Sequence, residues 1–329
     1  MGVTAGMLLF WAGDDIGKAC QSVILGSCAG SVLTLCSLVA LRWMERAKTG
    51  PKIPVSRRLT EIALPLAVAD DLKVGINTVE NLMVPKRLAL NRSVREPLAE
   101  FGRVSGMVFP VLMFPACILF GLAELLIPEL ARCAAAGSKN RIHYLVRRGL
   151  KITMLYGVAF CGLEFLLADW LCQSLYGSFA TGRYLRLYAL LIPMLYCDAI
   201  TDAMIKGLGQ QKICVRYNIL TSFMDVVFLF LLLPKYGMVG YYVSFLVTHL
   251  INFLLSLNRL MKITGKRIPL QAPMLSAVAA VGAAALSIQL PSPFGRAVVY
   301  PVVLGCMLYL MQIVNKSDVL WLKGLICKK

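Results

Sequence analysis

Apolar positions along this chain gather into long runs broken by short polar connectors, and nine of those runs approach the 20 or so residues that a membrane-spanning helix needs. They cover roughly residues 20–41, 61–84, 104–127, 149–171, 184–205, 213–233, 236–257, 271–290 and 298–315. The connectors between them are rich in Gly, Pro, Lys and Arg, the residues that end spans and anchor them at the membrane surface. Residues 1–13 form a shorter apolar stretch that cannot span unaided. It reads as an interfacial piece or as the tail of a helix that begins earlier. No block repeats another and none is of low complexity. The pattern predicts an all-α, polytopic membrane protein with about nine transmembrane helices.

Composition strengthens that picture. Hydrophobic residues make up 58% of the 329 and charged residues 16%, where a soluble domain has roughly 45–50% and about 25%. Mean hydropathy is +0.73. The formal charge is +17, and on so apolar a background it points to an anionic membrane surface and away from nucleic acid. Its distribution carries topology. Connector 42–58 holds Arg42, Arg46, Lys48, Lys52, Arg57 and Arg58, and connector 129–151 holds Arg132, Lys139, Arg141, Arg147, Arg148 and Lys151. With the clusters at 206–216, 259–267 and 316–329, they place most of the 34 Lys and Arg on one side. The positive-inside rule then puts the C-terminus in the cytoplasm of a multi-pass cell-membrane protein, with Asp14 and Asp15 outside. An outer group, Lys86, Arg87, Arg92, Arg95 and Arg103, reads either as a solvated loop or as an electropositive rim that draws in an anionic substrate.

Most of the 11 cysteines, among them Cys28, Cys117, Cys161 and Cys197, sit inside apolar runs and read as small hydrophobes. No C-x-x-C pair accompanies the two histidines, His143 and His249, so neither a metal site nor a cofactor is expected. No basic region precedes the first apolar stretch, so no signal peptide is expected.

Ionisable groups inside spans are costly and therefore informative. In segment 61–84, Asp70, Lys73, Asn77, Glu80 and Asn81 recur at i, i+3, i+7, i+10 and i+11, which places them on one helical stripe. Such a stripe must face water or protein. It lines a cavity, belongs to a structural network between helices, or lies on a surface helix that does not span. Glu124, Glu164, Asp198, Asp202 and Asp225 are further acids at membrane depth. Asp198 and Asp202 share a face at i, i+4. They are read either as a pair facing Lys206 and Lys212 or as an ion-coupling site formed with Asp225. His249 and Asn252 share a face of span 236–257 and read as interhelical hydrogen-bond partners. Gly26 and Gly30 make a G-x-x-x-G step for close helix approach. Pro110, Pro115 and Pro193 interrupt their spans, giving static kinks or the hinges that transporters use. No nucleophile elbow, H-E-x-x-H motif or Walker loop is present, so an enzyme is not expected.

Three stretches carry a family resemblance. Gly75-Ile-Asn77-Thr-Val-Glu80-Asn81-Leu-Met-Val-Pro85-Lys86-Arg87-Leu88 continues to Phe101-Gly102-Arg103, Phe109-Pro110 and Phe114-Pro115. Asp198-Ala-Ile-Thr-Asp202 runs on to Lys206-Gly207-Leu208-Gly209-Gln210-Gln211. Pro234-Lys-Tyr236-Gly237-Met-Val-Gly240-Tyr241 is followed by Asn258-Arg259 and Thr264-Gly265. In that order they resemble the stage V sporulation protein B branch of the polysaccharide flippases, within the multidrug/oligosaccharidyl-lipid/polysaccharide exporter superfamily. The resemblance implies a two-lobed helical bundle around a central cationic cavity. It further implies that a lipid-linked oligosaccharide or cell-wall precursor crosses there while its lipid tail stays in the bilayer. It implies that Asn77, Glu80 and Arg87 face that cavity.

The resemblance also implies a domain plan: residues 1–60 as the remnant of a first lobe, 61–260 as a six-helix second lobe, and 261–329 as two C-terminal spans with a basic tail. The expectation is a truncated or internally initiated reading frame, with a separate first-lobe chain as a candidate partner beside lipid-linked sugar and membrane lipids. On this reading Lys73 and Arg87 attract the pyrophosphate-linked headgroup, Asn77 and Asn81 bond sugar hydroxyls, and Glu80 pairs with a cation or gates the cavity. The alternatives are a cation-coupled drug exporter of the same superfamily and an inactive fragment that only packs against other membrane components.

Overall fold

The computed structural model describes residues 16–44, 55–92, 94–265 and 271–313, and every regular element among them is helical. The protein is thus an all-α, polytopic membrane fold. It divides into two compact units, Met1–Glu61 and Ile62–Lys329. Residues 1–13, Asp14 and Asp15, the basic positions Arg46, Lys48 and Lys52, and the tail lysines from Lys316 on lie outside the described residues, as does the side chain of Asp70.

Helix α1 (Ile16–Met44) forms most of the described first unit. Its polar side chains are absorbed by its own backbone: Ser31 donates to the Ser27 carbonyl and Thr34 to the Gly30 carbonyl. That is how Ser and Thr are accommodated where no water competes. Leu33, Leu38 and Trp43 are exposed, as suits a helix whose solvent is lipid.

Helix α2 (Val55–Leu88) leads into the second unit, which continues with α3 (Pro97–Arg103), α4 (Phe109–Met113) and α5 (Ala116–Ala135). Then follow α6 (Lys139–Tyr176), α7 (Phe179–Ala189), α8 (Ile192–Gly207), α9 (Gln211–Tyr236), α10 (Met238–Thr264), α11 (Gln271–Ser287) and α12 (Pro293–Leu310). The 38-residue α6 is the hub, packing against α5, α7, α8, α11 and α12. Two cores result. The larger joins α2 through α10 around Leu88, Leu112, Leu130, Tyr188, Ile200 and Leu260. The smaller seats α11 and α12 on α6 through Ala279, Ala283, Tyr300 and Leu304 against Val158 and Leu166.

The prolines singled out in the sequence break spans. A π-helical turn, Val104–Val108, precedes Pro110, and the rod from Pro97 to Ala135 bends by 60° at the junction that contains Pro115. Proline supplies no N–H and crowds the preceding turn, so carbonyls there need other donors. Two tyrosines provide them: Tyr196 donates to the Leu112 carbonyl at 2.8 Å and Tyr156 to the Pro115 carbonyl at 2.7 Å. The rod from Phe179 to Gly207 bends by 55° just before Pro193. Gly157 makes room there, since a Cβ on it would lie 2.8 Å from the Pro193 Cα.

Among the described residues, each of the nine apolar runs coincides with helix over most of its length. Five helices among the described residues are individually long and apolar enough to cross a membrane, and the two bent pairs raise that to seven. The other two runs differ for physical reasons. Helix α2 carries Asp71, Lys73 and Glu80 close together, which lowers its hydropathy, and α11 has 17 residues, about 25 Å of helix against a core of about 30 Å.

Candidate functional site

Three helices of the second unit each turn one polar stripe toward the same space. From α2 come Lys73, Asn77, Glu80 and Asn81; from α9, Asn218, Thr221, Ser222 and Asp225; from α10, Phe245, Thr248, His249 and Asn252. Each set recurs at i, i+3 or i+4, and i+7, the spacing of one helix face. Together they line a cavity of about 330 Å³, at the lower end of the range for small-molecule sites.

The two walls differ in how their polar groups are used. On the α9–α10 side most groups are committed, with the Asn252 Oδ1 left over. The Asn252 amide donates to both oxygens of Asp198, at 3.0 and 3.1 Å. The Asn218 amide donates to Asp202 at 2.9 Å, and the Ser256 hydroxyl to the other Asp202 oxygen at 2.9 Å. Asp225 Oδ1 accepts from Ser244 at 2.6 Å and from Thr248 at 3.2 Å. His249 Nδ1 lies 3.5 Å from Asp198, and its ring packs on Phe245 with centroids 4.3 Å apart. At membrane depth such bonds hold helices in register.

On the α2 side the groups are free. Lys73, Asn77, Glu80 and Asn81 make no hydrogen bond and no ion pair among the described residues. The rest of the helix surface is quiet: Thr78 bonds back to the Val74 carbonyl at 2.8 Å, and Val74, Val79 and Leu82 are exposed apolar positions. Lys73, Asn77 and Asn81 are exposed and Glu80 is half-buried, so the stripe keeps its donors and acceptors open on the cavity side.

Arg87 lies beyond the cavity lining, with its guanidinium 3.1 Å above the centre of the Phe230 ring of α9. Asp198 and Asp202 pair with amides and a hydroxyl from α9 and α10, where the sequence pairing had offered Lys206 and Lys212. Asp225 reaches the cavity itself. Of the remaining acids, Glu124 is exposed, and Glu164 is only 4% exposed with neither oxygen hydrogen-bonded. The described residues contain no group of three or more His, Cys, Asp or Glu positioned for a metal.

Sequence reasoning did not find Asn218, Thr221, Ser222, Phe245 or Thr248. Threonine and serine barely lower the hydropathy of a span, so Thr221, Ser222 and Thr248 pass as part of an apolar run. A usable signal lay in α10, where Gly240, Ser244, Thr248, Asn252 and Ser256 recur every four residues and are all buried. That is the small-residue repeat of a tightly packed membrane helix. A Cβ on Gly240 would sit 2.7 Å from the Leu232 carbonyl oxygen of α9.

No protein-family model matches the chain. Over 143 residues it is 19% identical to Stage V sporulation protein B of Bacillus subtilis (strain 168), an alignment covering 43% of this chain and 28% of that protein. Among solved structures it is similar to the lipid II flippase MurJ in its inward closed conformation, with a TM-score of 0.65 and 13% identity over 94% of this chain and 65% of that one. The chain thus spans less than a third of the curated relative and about two thirds of the solved flippase. The likeness shows the fold alone, a polytopic α-helical arrangement like that of the solved flippase.

Proposed function

We propose that this chain works as a flippase-type transporter, carrying the polar headgroup of a lipid-linked oligosaccharide or cell-wall precursor past the bilayer core, and is not an enzyme. One observation carries the reading. The cavity has one wall whose carboxylates are largely bonded across α8, α9 and α10, and one wall, the α2 stripe, whose amides and charges are unused. The fold likeness to a lipid II flippase and the partial likeness to a sporulation protein support it.

In this reading Lys73 draws the phosphate end of the headgroup and Asn77 and Asn81 bond its sugar hydroxyls. Glu80 and Asp225 form the opposing acidic end, where an ion or the substrate itself is engaged. Arg87 holds α2 against α9 through Phe230. Asp198 and Asp202 are anchors that fix α8, α9 and α10 beneath the cavity. The basic connectors face the cytoplasm, and so does the C-terminus.

Eleven of the twelve residues that line the cavity are polar or charged, Phe245 being the exception. That suits a hydroxyl-rich headgroup better than an apolar drug. The test is headgroup accessibility in sealed vesicles carrying a fluorescent lipid-linked sugar, with an impermeant quencher outside. Wild-type protein exposes the inner-leaflet pool, and the pair Asn77→Ala with Asn81→Ala slows that exposure by about tenfold or more. Equal rates with and without protein would refute transport.

A further inference from the structure

The unused groups of the cavity are segregated by charge. Lys73 stands seven residues from Glu80 on α2, about 10 Å along the axis. Around Glu80 the free groups are acceptors. Its carboxyl has no hydrogen bond or ion pair, and Asp225 has its Oδ1 occupied by Ser244 and Thr248 while no bond reaches its Oδ2. Behind them Asn252 is 3% exposed and lines the same cavity. Because its amide nitrogen is committed to Asp198, its Oδ1 is left without a partner. Lys73 makes no ion pair among the described residues, and His249, the other basic side chain of the lining, lies 3.5 Å from Asp198. Phe245 adds an aromatic face to the same wall.

Asn252 is buried and Glu80 and Asp225 are half-buried, so a ligand that shuts these acceptors off from water without supplying donors is costly to bind, and one that satisfies all of them is rich in donors and carries positive charge. A protonated amine fits, having three donors and no acceptor, and an aromatic face attracts it as well. At the other end the free ammonium of Lys73 asks for an anion. We infer that the headgroup this cavity takes is dipolar, an amino sugar with a free amine joined through phosphate to its lipid, with the phosphate at Lys73 and the amine between Glu80 and Asp225. This rests on the transport reading above and narrows its substrate. N-acetylation would remove the charge and two donors. A uronic acid would set a carboxylate against two others.

The test is equilibrium binding of the 329-residue chain in lipid nanodiscs to three probes: polyprenyl-phosphate glucosamine, its N-acetyl form and polyprenyl-phosphate glucuronic acid. The amine is expected to bind about tenfold or more tighter than the N-acetyl form, with the uronic acid weakest, since a site with unpaired charges discriminates strongly against a ligand that cannot pair them. Glu80→Gln and Asp225→Asn, each with an unchanged melting temperature, should bring the first ratio to within about twofold. Lys73→Gln should weaken all three alike. Equal binding of the three probes, or tightest binding of the uronic acid, would overturn the inference while leaving transport of lipid-linked sugars intact. Binding of none of them would overturn both.

Discussion

Asn252 spans the gap between α10 and α8 by donating its amide to both carboxylate oxygens of Asp198, at 3.0 and 3.1 Å. Lipid gives helices little hydrophobic reason to associate, so bonds of this kind and close small-residue contacts decide their register. Asp198→Ala should therefore lower stability by about 1–2 kcal/mol, measured by unfolding in mixed detergent. The exchange Asp198→Asn with Asn252→Asp should recover most of the loss. Recovery failing while Asp198→Ala is neutral would remove the anchor role.

The α2 stripe should behave in the opposite way. Asn77→Ala and Asn81→Ala break no bond in the resting protein, so each should change stability by less than about 0.5 kcal/mol while slowing headgroup movement. Unfolding and vesicle transport measured on the same preparations separate the two effects. A stability loss as large as that at Asp198 would mean the stripe is structural.

Gly240 lets α9 and α10 meet at backbone distance, with the Leu232 carbonyl oxygen 2.7 Å from where its Cβ would be. Gly240→Ala should cost about 1–3 kcal/mol by overpacking. Gly121→Ala is the control, since nothing lies within 4 Å of a Cβ there. Thermal melting of both variants checks this, and equal melting temperatures would contradict it.

Arg87 and Phe230 should be energetically coupled. In a double-mutant cycle of Arg87→Ala and Phe230→Leu the interaction term should be about 0.5–2 kcal/mol. Arg87→Lys should retain part of it, because a lysine keeps the charge and loses the planar face. Strict additivity would leave Arg87 without its role in holding α2.

Glu164 is buried in α6 with both oxygens unbonded. A carboxyl in that position is a burden on stability, so Glu164→Met, of similar length, should raise stability by about 1–3 kcal/mol. A loss of that size would reveal a stabilising role for the acid.

How much of this was legible depended on the strength of each signal. Charges in a membrane-length run are conspicuous, and Lys73, Asn77, Glu80 and Asn81 at helical spacing needed only that periodicity to be set on one face. The bends at Pro115 and Pro193 followed from a missing N–H. Asp198 and Asp202 were visible as a pair, yet their partners were not. A carboxylate in a sequence suggests the nearest lysine, whereas the fold brings Asn218, Asn252 and Ser256 to it from helices far along the chain. Arg87 shares the stripe of α2, but its long side chain carries the guanidinium away to Phe230. Thr221, Ser222 and Thr248 were hidden because hydroxyls hardly disturb an apolar pattern, and only the packing of α9 on α10 gathers them into a lining.

Transport by this route requires that the α2 stripe touch the moving headgroup. A photoreactive amino acid placed in turn at Asn77, Asn81, Val79 and Leu82, in protein reconstituted with a lipid-linked sugar labelled on its headgroup, measures that contact directly. Labelled adducts from positions 77 and 81 and none above background from 79 and 82 are the predicted result. Adducts from 79 and 82, or equal labelling at all four positions, would contradict the claim that this face of the helix lines the path.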